Sequence, residues 1–510
     1  MNAISKTQYM QGCQCEKLLW LATNKGDVLE KEENIRTTEG NEVGELARTY
    51  FPGAVTVPLN RAGEMAKETA RLIDAGNKVI CEATFLANGL SCSADIIRIE
   101  GKAADLIEVK SSTSVKLRQL EDVTFQYHVV SEALKRFGLS VRNVFLMHPN
   151  GDYVRGDDLD IYAYFKMERV TDFVQKEAVN VEANLEKFMA LCKGDEPEES
   201  LDMHCETPFE CPAKAYCHAI HHIPEKSVFS MAGMTAKKKY DLYKMGIVTP
   251  RDMLHAPGAL TGRQTIQAQA MAAGIDGKEM SRLQLDYKNL SAFLDTIQYP
   301  LYYLDFESFQ KAIPPYKGTQ PFQQIPFQYS LHIQQELGGE LEHCEFLAVA
   351  GKDPRRALAE QLVHDIPMGE QSMAYNSSFE KTVCRKLAAL FPDLADGLLS
   401  IVDNMVDLMI PFQKGWVTTP SMHGSYSIKA VLPALCGGDP ALDYHALPVV
   451  HNGAQASETF GSLHLIKEYE KVEAIRKGLL LYCGLDTLAM VKVLEQLYVF
   501  AGGGVEYAAV

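Results

Sequence analysis

The alternation of apolar and polar positions along the chain predicts strands and helices in two segments, with a helical stretch between them. Between residues 91 and 111, the β-like runs SADIIRI and DLIEVKS flank a short connection, which predicts adjacent strands. The next segment, QLEDVTFQYHVVSEALKRFG, predicts a helix that ends at Gly138. Further along, YPLYYLDFESF predicts a buried strand, and residues 466–500 predict a long helix.

This pattern predicts an α/β protein of several domains, because 510 residues exceed one ordinary core. Residues 1–225 mix helix-like and strand-like segments and close on a stretch dense in Cys, His and Pro. Residues 226–292 are mostly helical in pattern and rich in Met, Ala and Lys. Residues 293–510 begin with the apolar strand and form the third predicted region, a second α/β domain.

Composition narrows the class of protein. Hydrophobic residues make up 46% and charged residues 23% of the chain, as in soluble globular proteins. No apolar run reaches the ~18 residues of a membrane span, and the N-terminus lacks a secretory pattern, so we expect a cytoplasmic protein without a membrane partner. The net charge of -16 argues against a protein coated in nucleic acid, but it is compatible with a local basic channel.

Three polar side chains on the first pair of predicted strands can meet at one point. Residues i and i+2 of a strand face the same side, so Glu108 and Lys110 project together, and Asp95 lies on the neighbouring strand. An Asp and a Glu close together bind Mg²⁺ or Mn²⁺. An adjacent ammonium can orient the attacking water and stabilise phosphorane charge. Acids and lysines also alternate on many exposed strands, so this pattern alone is weak.

The order of these residues resembles the RecB-like branch of the PD-(D/E)XK nuclease superfamily. Asp95 matches the first acid of that family, and Glu108 with Lys110 matches the (D/E)XK element. Gln126 and Tyr127 match the Gln/Tyr motif on the helix that follows. The resemblance implies a catalytic role for all five residues.

The helix that precedes these strands departs from the family pattern. RecB-like nucleases usually offer a Gly-x-x-x-His segment in the helix that residues 40–48 match, but Gly44 stands at the His position. Glu45 follows directly and would replace the missing ligand. Glu82 is another candidate for the acidic cluster.

The cysteines of the first region form a second pattern. Five residues separate Cys205 from Cys211 and Cys211 from Cys217, and Cys15 lies near the start of the chain. In a reducing compartment, clustered cysteines favour metal binding. The pattern resembles the iron–sulfur nucleases related to AddB and to the CRISPR-associated RecB-type exonucleases, although their first late interval is often two residues. The resemblance implies a [4Fe-4S] cluster that ties the N-terminal helix to the end of the domain.

Several alternatives to this cluster stay open. Zinc could be bound by the same thiolates together with His218, His221 or His222, although no CxxC knuckle is present. Cys13 could replace Cys15, since both precede the same helix. The cysteines could also be uncoordinated loop residues. The other seven cysteines are scattered, and we expect them in the core.

The middle region contains a basic helical hairpin. Its pattern predicts two short helices around the turn 244–247, and it looks like a helix-hairpin-helix module, whose backbone N–H groups contact phosphates. A solvated lysine face on a plain helical linker is an equally good interpretation. The predicted nucleic-acid-binding lysines are Lys237, Lys238, Lys239 and Lys244.

A second acidic group is predicted in the third region. Asp305 and Glu307 are i and i+2 on a buried strand, and burying two carboxylates together is costly unless a cation compensates. Tyr482 and Asp486 are i and i+4 on one face of the long helix. An Asp can complete a two-metal site, and a neighbouring Tyr can hold the water that attacks a phosphodiester.

This set resembles the DEDDy-type 3'-5' exonucleases of the RNase H-like fold. Asp305 and Glu307 match their first motif, and Tyr482 with Asp486 matches their Tyr-x-x-x-Asp motif. The middle motif normally carries an Asp, whereas Glu380 stands at that position here. The resemblance implies that the four acids hold Mg²⁺ or Mn²⁺.

Glu380 also has a structural interpretation, because Ser377-x-x-Glu380 is a helix capping box. Asp403 and Asp407 could supply the missing acid instead. Lys429 lies in a segment that fits the same family and could approach a phosphate, although we expect it on the surface.

The order of all segments resembles a bacterial family in which a RecB-like nuclease is fused to an RNase H-like domain, with some members known only as domains of unknown function. It implies a metal-dependent nuclease that hydrolyses DNA at ends or on single strands, in repair, recombination or defence. RNA as the substrate stays open. The alternatives are a nucleic-acid-binding scaffold with one or both sites degenerate, and an iron–sulfur electron carrier. No GxxxxGK[ST] loop is present, so we expect no helicase motor.

Overall fold

The chain divides into two compact units in a computed structural model. The described residues are 4–30, 35–275, 283–437 and 439–502. The first unit comprises Met1–His222 and Lys311–Gln323, and the second comprises Ile223–Gln310 and Gln324–Val510. Each unit combines helices with a sheet, as expected for an α/β protein of several domains. The stretch 226–292, predicted as a separate region, belongs to the second unit.

The first unit surrounds one long mixed sheet. Its helices are α1 (Lys6–Gln14), α2 (Glu16–Asn24), α3 (Ile35–Thr49), α4 (Ala62–Asp74), α5 (Leu117–Leu134), α6 (Ile161–Tyr164), α7 (Thr171–Leu191) and α8 (Lys214–Ile220). Its strands are β1 (Ile4–Ser5), β2 (Val55–Thr56), β3 (Val79–Ala87), β4 (Leu90–Glu100), β5 (Ala103–Val109), β6 (Ser140–Pro149) and β7 (Phe165–Arg169).

The strands follow the order β2-β3-β4-β5-β6-β7, and β1 pairs with β4. Strands β3, β4 and β5 form an antiparallel meander, whereas β6 runs parallel to β5 and is reached through α5. The predicted pair of adjacent strands is therefore confirmed as β4 and β5. The predicted helix is also confirmed, because α5 continues into a short 3-10 turn that ends at Gly138 with φ +67°.

Apolar side chains of α5 position it on this sheet. Val129 and Leu134 are fully buried in one cluster with Ile97, Leu106 and Leu146 from the strands. The spacing of apolar residues along α5 thus directs one face of the helix at the sheet. Asp122 of the same helix contacts Lys110, the residue that follows β5.

The segment Lys311–Gln323 completes a second apolar cluster of the first unit. Ala312 is 2% exposed in this cluster, and Phe322 packs against it. The Tyr164 hydroxyl donates a hydrogen bond to the Ala312 carbonyl at 3.0 Å. The backbone N–H of Arg155 donates to the Thr319 carbonyl at 3.0 Å. The sequence pattern did not predict this segment as part of the first unit.

The second unit contains a smaller mixed sheet, a two-stranded sheet and the longest helix of the described residues. Its helices are α9 (Ala236–Lys244), α10 (Pro250–His255), α11 (Gly262–Ile275), α12 (Tyr287–Leu294), α13 (Arg355–Asp365), α14 (Ser378–Leu390), α15 (Ala395–Asp403), α16 (Ile410–Gln413), α17 (Ile428–Cys436), α18 (Gly453–Leu463) and α19 (Tyr469–Phe500). Its strands are β8 (Gln284–Leu285), β9 (Leu301–Phe309), β10 (Ile325–Gln334), β11 (Leu341–Leu347), β12 (Gln371–Ala374), β13 (Met405–Asp407) and β14 (Val417–Thr418).

The main sheet of this unit has the order β11-β10-β9-β12-β13. Strands β9, β10 and β11 are antiparallel neighbours, and β12 and β13 run parallel to β9. The predicted buried strand is confirmed as β9, which is the central strand. The predicted long helix is confirmed as α19, and it packs against both β9 and β10.

The two short helices predicted in the middle region are confirmed as α9 and α10. Gly246 lies between them with φ +76°, a conformation that glycine adopts without steric cost. None of the helices in the described part of the chain combines the length and apolar character that a membrane crossing requires.

Candidate functional sites

The first acidic site lies where β4, β5 and α5 converge. Glu108 is near the end of β5, and Lys110 follows the strand. The Lys110 Nζ atom lies 2.7 Å from Glu108 Oε1 and 2.5 Å from Asp122 Oδ2. The Val109 backbone N–H donates to Asp95 Oδ2 at 2.6 Å. The structure thus brings the predicted Asp95, Glu108 and Lys110 together.

Burial and mutual charge set the protonation of this site. Desolvation raises the pKa of Asp95 well above its usual value, and the neighbouring Glu108 carboxylate raises it further. Desolvation opposes the charge on Lys110, but Glu108 and Asp122 raise the pKa of this ammonium overall. Glu108 Oε2 is buried without a hydrogen-bond partner among the described residues. An acidic site with an unpartnered, desolvated oxygen favours a bound cation.

Two residues of this site, Asp122 and Lys6, were missed by the sequence analysis. Asp122 precedes Gln126 by four residues on α5, and the Gln126 amide donates to it at 3.2 Å. The i, i+4 spacing of Asp122 and Gln126 places both side chains on one helix face, so it could have indicated Asp122. The Lys6 Nζ atom lies 3.1 Å from Asp122 Oδ1 and 3.5 Å from Glu108 Oε1. No local pattern points to Lys6, because more than 100 residues separate it from both partners.

The remaining residues predicted for the first site have other surroundings. Tyr127 is half-buried and packs against the apolar cluster of the first unit. Glu45 is exposed on α3. Glu82 lies in β3 with φ +55°, and it accepts a hydrogen bond from the Arg48 guanidinium at 2.8 Å. Arg48 therefore forms an ion pair with Glu82, the candidate for an additional acid of this site.

The four cysteines predicted as cluster ligands line one small cavity of the first unit, although they come from both ends of its sequence. Cys15 is the N-cap residue of α2, and Cys217 lies on α8. Cys211 donates its backbone N–H to the Cys205 carbonyl at 2.8 Å, which closes the loop between them. Burial raises the pKa values of Cys15, Cys211 and Cys217 to about 11. Their neutral thiols are therefore favoured unless a metal stabilises the thiolates.

The alternatives to this set fit the geometry less well. Cys13 is exposed and lies beside Tyr9, in a different cavity. His221 approaches the Glu199 carbonyl at 3.0 Å through its Nε2 atom. Neither residue lines the cysteine cavity, and the same holds for His218 and His222, whereas the unpredicted His204 does line it.

The second acidic site lies between the central strand β9 and the helix α19. Asp305, Glu307 and Asp486 each place a carboxylate oxygen within 4.8 Å of the other two. Glu380 on α14 is 3% exposed, and its Oε2 atom has no hydrogen-bond partner among the described residues. Repulsion from the Glu380 carboxylate raises the pKa values of Asp305 and Glu307 on β9. The structure thus brings all four predicted acids together.

Desolvation is the main cause of the shifted pKa values in this site. It raises the pKa of Glu307 to about 8 and that of Glu380 to about 8. It raises the pKa of Asp486 to about 6, although the Tyr444 hydroxyl partly opposes that change. Repulsion from Asp486 adds to the raised pKa of Asp305. Cations would relieve this repulsion, so the arrangement favours divalent metal binding.

The predicted capping role of Glu380 is wrong. Ser377 is the N-cap residue of α14, but its side chain makes no capping hydrogen bond. Instead, Asp407 accepts the backbone N–H groups of Asn376 and Ser377 at 2.9 and 3.1 Å. Asp407 therefore stabilises the start of α14, and Glu380 is left in the acidic site. Asp403, the other substitute considered, is exposed at the end of α15.

Lys429 and Tyr444 extend the second site. The Lys429 Nζ atom lies 3.3 Å from the Tyr482 hydroxyl and donates to the His451 carbonyl at 3.1 Å. The Tyr444 hydroxyl donates to Asp486 Oδ1 at 2.6 Å. Lys429 is exposed, as expected, and its ammonium group also contacts the Tyr482 hydroxyl. Tyr444 lies 42 residues before Asp486 in the sequence, and no motif indicated it.

The lysines predicted to bind nucleic acid make contacts within the second unit. Lys237 pairs with Asp241 at 2.7 Å, one turn along α9. Lys238 donates to the Gln264 side chain at 3.1 Å, and Lys239 donates to the Phe229 carbonyl at 2.7 Å. Lys244 is the last residue of α9. These contacts compete with phosphate for the ammonium groups.

One family model matches part of the chain. The family is described as Domain of unknown function (DUF2779), and the match covers residues 302–427. This range contains Asp305, Glu307 and Glu380 but neither Asp486 nor the main segment of the first unit. No curated protein matches the sequence significantly.

Proposed function

We propose that this protein is a metal-dependent nuclease that hydrolyses phosphodiester bonds of nucleic acid, with DNA favoured, at one site in each unit. The observation that carries the proposal is the group of buried acids on β9, α14 and α19. Four carboxylates with raised pKa values share one space there. Such a group is costly without cations, and paired divalent cations are the usual catalysts of phosphodiester hydrolysis.

The sheet of the second unit supports an RNase H-like assignment. In chain order its strands run 3-2-1-4-5, with three antiparallel strands followed by two parallel ones. Asp305, Glu307, Glu380 and Asp486 would hold the cations, which supply Lewis-acid stabilisation of the attacking and leaving oxygens. The Tyr482 hydroxyl would orient the attacking water, and Lys429 holds that hydroxyl in place. Tyr444 fixes the Asp486 carboxylate.

The first unit supports a RecB-like assignment in the same way. A three-stranded antiparallel meander, a crossover helix and a parallel strand position the acidic residues at one end of β5. Asp95 and Glu108 would hold a divalent cation. Lys110 stays protonated beside them, so its ammonium can orient water and offset charge on the phosphorane.

The cysteine cavity fits a metal centre built on four thiolates. We assign Cys15, Cys205, Cys211 and Cys217 as ligands of an iron–sulfur cluster, with zinc as the alternative metal. Such a centre would fix the start of α2 to α8 and to the loop before it. This role is structural, and no redox chemistry is needed for it.

Cleavage of end-labelled single- and double-stranded DNA, with RNA in parallel, tests the function. The wild type would be compared with Lys110→Ala and Asp486→Ala in Mg²⁺ or Mn²⁺, after purification without oxygen. We expect each variant to lose a different product ladder, with its own site slowed roughly 10²–10³-fold. If the wild type cuts no substrate with either metal, the proposal is wrong, and a nucleic-acid-binding scaffold becomes the better interpretation.

A further inference from the structure

Lys6 brings a second ammonium group to the first acidic site. It is the first residue of α1, and its side chain is 33% exposed, against 19% for Lys110. Lys110 is closely held by Glu108 and Asp122, whereas Lys6 lies at the longer distances of 3.5 and 3.1 Å from the same acids. Lys6 is therefore the ammonium that remains more accessible to a ligand.

Helix α1 holds Lys6 in position from both ends. At its start, the side chains of Ser5 and Gln8 form a reciprocal capping box, and β1 pairs with β4, the strand that carries Asp95. At its end, the Gln14 amide donates to the carbonyls of His204 and Phe209, both at 2.9 Å. The next residue is the cluster-ligand candidate Cys15. Helix α1 thus joins the first acidic site to the cysteine loop.

A cavity of about 560 Å³ runs along this helix. Lys6, Lys110 and Arg118 line it near the acidic site, and Phe209 lines it beside the cysteine loop. Phe209 is an exposed residue, so an aromatic side chain is available there. Three acids also line the cavity. Asp122 belongs to the acidic site, Glu30 is exposed, and Glu210 pairs at 2.8 Å with Lys214, which also pairs with Glu206. Cationic groups followed by an exposed aromatic ring suit a single strand, whose phosphates and bases need these two contacts.

The charge balance of the first site explains why the Lys6 ammonium would bind a phosphate of the substrate. Asp95, Glu108 and Asp122 carry three negative charges when ionised, against two positive charges on Lys6 and Lys110. A divalent cation bound by the acids would leave the site one positive charge in excess. A phosphate of the substrate offsets that excess, and Lys6, the more accessible lysine, is the group placed to contact it.

We propose that Lys6 binds a backbone phosphate of a single nucleic-acid strand that lies in the cavity along α1. This inference rests on the proposed nuclease function of the first site. It narrows the substrate of the first site, for which the resemblance implied DNA ends or single strands, to a strand without a pairing partner. It also gives α1 the task of positioning the substrate-binding residue relative to Asp95 and Glu108.

The test uses the full-length protein with Asp486→Asn, so that only the first site cuts. Lys6→Met and Lys6→Arg would be compared in binding a fluorescent single-stranded oligonucleotide in Ca²⁺, over a series of salt concentrations. We expect Lys6→Met to weaken binding about tenfold or more. Because one phosphate contact is lost, its slope of log affinity against log salt should become shallower by about 0.7. Lys6→Arg should retain most of both values.

Lys67→Met is the matched control, because Lys67 is an exposed lysine of the same unit that pairs with Glu64. It should behave as the parent protein.

In cleavage assays with Mg²⁺, Lys6→Met should raise KM more than it lowers kcat. Wild-type affinity and slope for Lys6→Met would overturn the inference and leave the nuclease function standing. A parent protein that neither binds nor cuts the strand would overturn both, and a Lys6→Arg variant as weak as Lys6→Met would overturn phosphate binding by charge.

Discussion

Two buried carboxylates of the second site determine how the stability of the protein depends on pH. Glu307 and Glu380 have pKa values of about 8, against an ordinary value of 4.5. Between these values the folded protein binds more protons than the unfolded chain. Stability therefore falls as pH rises through this window when no divalent cation is present. A bound cation must displace those protons, so its affinity increases over the same range.

We therefore predict that the melting temperature measured in a chelator decreases by several degrees between about pH 6 and about pH 8.5. Added Mn²⁺ or Mg²⁺ should raise the melting temperature, and this increase should be largest at the high end. Calorimetry over a pH series measures both effects. A double variant, Glu307→Gln with Glu380→Gln, is the control and should flatten the dependence on pH and metal. A wild type that shows the same metal effect at every pH would contradict the prediction.

Lys429 acts on the same equilibrium, because its ammonium lowers the pKa values of Glu307 and Asp486 against the larger effect of desolvation. We predict that Lys429→Met shifts the pH at which Mn²⁺ binding is half-maximal upward, since the acids then release their protons less readily. Titration calorimetry at several pH values would show the shift. Lys414→Met, at an exposed lysine of the same unit, should leave the midpoint unchanged. A downward shift for Lys429→Met would refute this reasoning.

The sequence predicted residues whose partners are close along the chain. Asp305 with Glu307 and Tyr482 with Asp486 follow the repeat of a strand and of a helix. Lys6 and Tyr444 could not be found in this way, because only the folded chain brings them to the acids. The role of Glu380 was ambiguous for a different reason. Its local capping pattern is complete in sequence, but Asp407 accepts hydrogen bonds from both the backbone N–H and the hydroxyl of Ser377, the two groups that the capping box would use.

At the scale of elements, the regular periodicity of β4, β5, α5, β9 and α19 made them predictable. These five elements carry most of the acidic residues of the two sites, which explains why the sequence predicted much of both sites. Short elements were not predicted individually, and β1 is an example. It has two residues and pairs with β4 over 80 residues away, so its existence depends on tertiary contacts.

The cysteine loop is an element without regular periodicity, and its stability should depend on the metal centre. We predict that Cys211→Ser loses most of the bound iron and sulfide, together with the broad visible absorbance of a cluster, and unfolds at a lower temperature. Metal analysis and absorbance after purification without oxygen measure these properties. Cys13→Ser is the control, because Cys13 is an exposed cysteine of the same unit that does not line the cysteine cavity. Iron retained in Cys211→Ser, or zinc found instead of iron in the wild type, would contradict the cluster assignment.

At the scale of the whole molecule, the first unit is not a continuous stretch of sequence. Its apolar cluster includes Ala312, Ile313 and Phe322, which come from the segment Lys311–Gln323. A boundary near residue 225 was predicted from composition, and the division after His222 lies close to it. The returning segment was not predictable, because its short Pro-rich sequence has no periodicity that indicates which core it joins.

We predict that a fragment of residues 1–225 melts at a lower temperature than the same unit in the full protein, since its apolar cluster would be exposed. A synthetic peptide of residues 309–325, added in excess, should restore part of the difference, because ligands of the folded state stabilise it. A peptide of scrambled sequence is the control. Equal melting temperatures with and without the peptide would show that this segment contributes little to the stability of the first unit.

The position of Lys311–Gln323 also constrains how the gene can evolve. A single recombination crossover near codon 223 would import a new first half but retain the old segment from the downstream half. The imported apolar cluster would then pack against a segment 311–323 that had evolved together with a different first half. Exchange of the intact first unit requires two additional crossovers around codons 311–323. We therefore expect both halves to share one line of descent, so phylogenetic trees built from each should have the same branching order.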